Sequence, residues 1–165
     1  MKGGFGGMMA KGRQIRAAER GDMPALLGMV EALTRHHADV PRVTLASLER
    51  DIFGTVPWYR TLVAVQGDQV VGYAAALPLG RLGYGARGLD LHHLFVDPAA
   101  RNLGTGSALM RGIENLARDL GCGYVIIGTH PDNFAAQAYY QGLGYAPHAS
   151  LAQRFSKTID AGSAD

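Results

Sequence analysis

The chain has 165 residues, a formal net charge of +2, 47% hydrophobic and 18% charged residues, and one cysteine. That length suits one domain with a real hydrophobic core, and the charge is too small to argue for nucleic-acid or membrane binding. A lone Cys122 excludes an internal disulfide framework and any multi-cysteine metal site, which fits a reducing cytoplasm.

Residues 1–11 (MKGGFGGMMAK) lack the apolar stretch of a signal peptide and are expected to form a flexible leader. A single domain is expected over 12–160, with a short tail at 161–165. No apolar run approaches the roughly 20 residues that span a bilayer. Residues 14–17 read as the first strand. Asp22 and Pro24 open a helix, Asp22 as its cap and Pro24 in the first turn, with Leu26, Leu27, Val30 and Leu33 as the apolar face. Thr44 caps a second helix bearing Leu45, Leu48 and Ile52. Residues 59–65 and 69–76 form a hairpin about Gly67-Asp68, and the Gly-rich stretch 78–88 is expected to be a loop. The next strand covers 89–96. A helix then carries Leu109, Ile113, Leu116 and Leu120 as one stripe, stopped by Gly121. A short strand at 124–129, a helix capped by Asn133 and running to about 141, and closing strands at Tyr145 and 151–158 complete the reading. Strands first, then alternating helices and strands, predict an α/β domain with a mixed sheet.

The segment Val96-Asp-Pro-Ala-Ala-Arg101-Asn-Leu-Gly104-Thr-Gly106-Ser107 joins a strand to a helix through two glycines. Helix starts present unpaired N–H groups and partial positive charge, which together bind anions. Gly104 and Gly106 let the backbone approach phosphate oxygens closely, and Arg101 offers charge-assisted hydrogen bonds. A Gly-Lys-Ser/Thr phosphate loop is absent. A dinucleotide fingerprint needs a third glycine where Leu109 stands and a carboxylate near Thr129, and lacks both. A plain glycine-rich turn capping a helix stays open on these residues alone.

Arg101, Gly104 and Gly106 resemble motif A of the GNAT acetyltransferase superfamily, Arg/Gln-x-x-Gly-x-Gly/Ala after a strand. Asn133, Ala136, Tyr139, Tyr140, Gly144 and Tyr145 resemble its motif B, position for position. The resemblance covers residues 62–145, and its pattern is similar to that of small-molecule and polyamine acetyltransferases. It implies a GNAT fold: a central mixed sheet of about six to seven strands, helices on both faces, and a splay between two central parallel strands, 91–96 and 124–129. It implies acetyl-CoA as cosubstrate. Backbone groups of Leu94, Phe95 and Val96 would pair with the pantetheine arm. Asn102, Leu103, Gly104, Thr105, Gly106 and Ser107 would hold the pyrophosphate, with Arg101 beside them. Asn133 would also contact the cofactor arm.

The implied reaction is direct acetyl transfer to a primary amine in a ternary complex, with no nucleophilic cysteine. The amine belongs to a small molecule or a peptide. By the resemblance, Tyr140 is the general acid beside the CoA sulfur, its reference pKa of about 10 keeping it protonated. Where many GNAT enzymes carry a Glu-Asp pair, this chain has His92-His93. Strand alternation places 90, 92, 94 and 96 on one face, so His92 is the candidate base and His93 faces away as a structural residue. The early helices, their connection and the 78–88 loop would line the acceptor site, with His36, His37, Trp58, Tyr59 and Tyr84 as contributors. No metal is expected, because the two His-His pairs are distant and lack ligand spacing. Family habit implies a homodimer. The alternative is a non-catalytic CoA-binding regulator with the same fold.

Overall fold

The computed structural model describes residues 8–10, 12–147 and 155–157. The chain falls into two compact units, 1–128 and 129–165, and each is taken by itself.

The first unit is built on one mixed sheet. Strand β1 (Met8–Ala10) pairs antiparallel with β2 (Arg13–Ala17), Met8 opposite Ile15. Three residues of the expected leader therefore lie in the sheet. Strands β3 (Arg60–Gln66), β4 (Gln69–Arg81) and β5 (Ala86–Val96) continue antiparallel. Strand β6 (Tyr124–Ile127) joins β5 in parallel, giving the order β1-β2-β3-β4-β5-β6 among the described residues.

Helix α1 (Met23–His36) and the short α2 (Leu45–Leu48) cover one face, where Leu26, Leu33 and Leu48 pack with Val63, Tyr73 and Phe95. Helix α3 (Thr105–Asp119) covers the other. A Cβ on Gly112 would stand 2.9 Å from Leu62 and 3.0 Å from Ile15, so this helix lies close against β2 and β3. The stripe Leu109, Ile113 and Leu116 is buried as its period requires, whereas Leu120 is half-exposed because the helix ends before it and Gly121 turns the chain at φ 69°.

Two expectations are corrected. The stretch 78–88 is not a loop: β4 runs to Arg81, a turn at Leu82–Tyr84 reverses the chain, and β5 starts at Ala86. Only Gly85, at φ 58°, needs its freedom for that turn, while a Cβ on Gly88 would lie 2.3 Å from the Tyr124 ring. Asp22 precedes α1 but does not cap it with its side chain. Its carboxylate instead takes two bonds from Arg16, at 2.6 and 2.9 Å, and one from the Glu19 N–H at 2.8 Å. Burial would raise its pKa, and those donors more than offset this and hold it below the usual range. Thr44 does cap α2, accepting from the Ser47 N–H at 3.1 Å, and the chain continues into one π-helical turn, Glu49–Phe53.

In the second unit, α4 (Phe134–Gly142) is capped by Asn133, whose side chain accepts from the Ala136 N–H at 3.1 Å. Tyr145 lies in no strand. The strand expected over 151–158 falls outside the described residues, apart from the irregular 155–157.

Candidate active site

The register of β4 against β5 slips between Ala75 and Ala76: Ala75 is opposite His93, and Ala76 is opposite Leu91. His92 is thus the extra residue of a β-bulge. Cross-strand partners share a face, so Leu91 lies with Ala76 on the α3 side, while His93 and Phe95 lie with Ala75 and Tyr73 on the α1 side. The alternation expected for 90, 92, 94 and 96 breaks at this point. His93 does not face away from His92. The two rings stack, with centroids 4.5 Å apart and planes 14° from parallel.

Both imidazoles line a cavity of about 310 Å³ between the sheet, α1, α2 and the π-helical turn. Tyr59 stands 5.5 Å from the His92 ring, and Tyr73 Oη lies 3.0 Å from His93 Nδ1. Burial pushes the Tyr73 phenol well above its ordinary range, so it keeps its proton. Burial pushes His93 down to about 4, and the neighbouring His92 and His37 push it the same way. His93 is therefore neutral at physiological pH, while His92 is exposed at the cavity mouth.

Parallel pairing of β5 with β6 runs from Gly88–Tyr124 to Leu91–Ile127 and goes no further. Residues 92–96 of β5 continue beyond it with β4 as their described neighbour. At the end of β5, Asp97 accepts from the Ala99 N–H at 2.9 Å and tightens the turn Pro98–Ala100. Asn102 and Gly104 then take left-handed conformations, φ 58° and 81°, directly before α3. A Cβ on Gly104 would meet nothing within 4 Å, so this position is open. The loop is braced from behind. Thr105 Oγ1, buried, donates to Ala100 O at 3.0 Å. Arg13, only 6% exposed, donates to Leu103 O at 2.6 Å and to Gln66 at 3.2 Å. Arg101 is exposed, and its Nε donates to Val96 O at 3.0 Å. The positive end of a long helix, an open left-handed glycine and nearby guanidinium charge suit a pyrophosphate.

In the second unit, burial and the adjacent Tyr139 push the Tyr140 phenol up to about 12. It keeps its proton at neutral pH.

The acceptor-site residues are scattered. His37 caps the end of α1 and acts electrostatically on His93, and His36 lies beside it with ring centroids 5.8 Å apart. Trp58 is 66% exposed, and Tyr84 is 86% exposed at the hairpin tip; neither lines the cavity. Tyr59 does. Sequence reading missed Thr61, Tyr73 and Arg13. Thr61 and Tyr73 are inward positions of β3 and β4, a signal that was available; the Arg13 bond to Leu103 joins residues 90 apart and left none.

The family model described as "Acetyltransferase (GNAT) family" matches residues 23–145. The chain belongs to the GNAT acetyltransferase family. Thialysine N-epsilon-acetyltransferase of Bos taurus is 29% identical over 140 residues, covering 79% of this chain and 82% of that protein. N-acetyltransferase 8 of Homo sapiens is 39% identical over 83 residues, 50% of this chain and 37% of that protein. Among solved structures, AAC(6')-Iy in complex with a bisubstrate analog of CoA gives a TM-score of 0.74 at 19% identity, covering 88% of this chain and 99% of that one, a likeness of fold. This GNAT protein is an acyl-CoA-dependent N-acetyltransferase.

Proposed function

We propose that the protein transfers an acetyl group from acetyl-CoA to a primary amine by direct attack in a ternary complex. The observation that carries this reading is the placement, within one unit, of the open left-handed loop before α3 and the imidazole-lined cavity at the β5 bulge, joined by residues 92–96. Backbone N–H groups of residues 102–107 hold the pyrophosphate, and Arg101 adds charge at the rim. The backbone of Leu94, Phe95 and Val96 takes the pantetheine arm as a sheet edge takes a strand. Asn133 keeps its cap and adds a contact to that arm.

Acetyl-CoA, when bound, supplies an acetyl group activated as a thioester. His92, exposed at the cavity mouth, takes the proton that the amine nitrogen loses as its new bond to the acetyl carbon forms. Tyr140, held protonated, gives a proton to the sulfur as the C–S bond breaks. His93 keeps its imidazole neutral and packs against His92.

Calorimetric titration with acetyl-CoA, with ATP and NAD as controls, tests the cosubstrate. Micromolar binding of acetyl-CoA alone is expected, and its loss in Gly104→Glu. Unchanged affinity in that variant overturns the loop assignment.

A further inference from the structure

The cavity at the bulge has a composition unlike that of a site for a polycation. Its floor is aliphatic: Leu26, Val30, Val43, Leu48 and Ile52. Asp51 is the sole carboxylate among the described lining residues, and Arg50 donates to both its oxygens, at 2.6 and 2.9 Å. An amine with several ammonium groups would enter with no counter-charge left to meet them, and burying an unpaired ammonium is costly. The walls add two aromatic phenols and two imidazoles rather than acids. At about 310 Å³ the space is at the small end of ligand pockets.

A second observation is independent of the first. Thr61, 8% exposed, lines the same cavity, and its buried Oγ1 has no hydrogen-bond partner among the described residues. A buried hydroxyl left unpaired is costly, and a ligand's polar group that pairs with it recovers that cost on binding.

We propose that the acceptor is a primary amine carried on a compact apolar body, alkyl or aryl, with one neutral polar group that reaches Thr61, and not a polyamine or an amino acid. This inference rests on the acetyl-transfer reading above. The amine nitrogen stands at the cavity mouth beside His92, and the apolar body lies over Leu26, Val30 and Leu48. The transfer is the one already written: an N–C bond forms, the C–S bond breaks, one proton leaves the nitrogen and one joins the sulfur.

The test measures thiol release from acetyl-CoA with phenethylamine, tyramine and hexylamine against spermidine, thialysine and lysine. At least a tenfold higher kcat/KM for the apolar amines is expected. Equal or better use of spermidine, thialysine or lysine overturns the proposal. Val30→Asp, which sets an unpaired carboxylate in the floor, is expected to shift the ratio at least tenfold toward spermidine; an unmoved ratio in a folded variant places the acceptor elsewhere. Thr61→Val is expected to erase any preference for tyramine over phenethylamine, and a preference that persists removes Thr61 from the contact. If acetyl-CoA binds by calorimetry and no amine is acetylated, the acceptor class is wrong while the cofactor site stands. If acetyl-CoA does not bind, the acetyl-transfer reading falls and this inference with it.

Discussion

His92 and His93 are adjacent imidazoles with different burial, and burial decides what each can do. His93 sits deeper, against Tyr73, and its depressed pKa of about 4 lies below the reference value of about 6.5 for an unfolded histidine. Between those values the unfolded chain binds a proton that the folded chain refuses. The contribution to stability is therefore full above about pH 6.5 and lost as pH falls toward 4. Urea midpoints are expected to drop between pH 7 and pH 4.5, and His93→Gln to flatten that drop. His92→Gln is expected to lower kcat with acetyl-CoA affinity little changed; unchanged turnover returns His92 to a packing role. Tyr140→Phe is expected to lower kcat by roughly 100-fold with little change in acetyl-CoA affinity, the size of a general acid's contribution. Steady-state kinetics alongside calorimetry separates the two effects.

At the scale of elements, the loop before α3 owes its shape to groups outside itself. The Arg13 guanidinium is buried and spans Gln66 and the Leu103 carbonyl, and hydrogen bonds of a charged donor contribute about 1.5–3 kcal/mol each. Arg13→Met is expected to weaken acetyl-CoA binding about tenfold. Arg13→Lys is expected to restore only part of it, because a single ammonium lacks the planar fork that presents Nε and Nη1 to the two acceptors. Affinity unchanged in Arg13→Met would show that the loop holds itself. The helix behind this loop was legible in sequence because Leu109, Ile113 and Leu116 repeat at helical spacing, a local signal. The hairpin 78–88 was misread for the opposite reason. Its glycines suggest a turn throughout, yet Gly88 is small because the Tyr124 ring lies over it, a contact between distant residues. Likewise the side chain of Asp22 looked like a helix cap, and Arg16, six residues away, claims it.

For the whole molecule, binding and stability are linked, and this gives a test that needs no acceptor. Acetyl-CoA at 100 times its Kd stabilises the folded state by about 2.7 kcal/mol. For a chain of this size that raises Tm by roughly 5–10 °C. Thermal denaturation is expected to show that rise in the natural protein and none in Gly104→Glu. Family membership, the mixed sheet and the order of the two motifs were all readable from the sequence, since they depend on spacing along the chain. The site was readable in its loop and less so in its cavity. Trp58 and Tyr84 are polar aromatics that point to solvent, whereas Thr61 and Tyr73 looked like ordinary strand residues until the sheet faced them inward.

The bulge at His92 also divides β5 into two halves that obey opposite rules. Up to Leu91 the odd-numbered side chains turn toward α3; from His93 onward the odd-numbered ones turn toward α1. A saturation scan along the strand should show tolerance oscillating with a period of two and losing a half-cycle at His92. Deleting His92 would bring the two oscillations into phase and leave every other side chain of β5 on its present face, so the variant tests what the extra residue does apart from the packing around it.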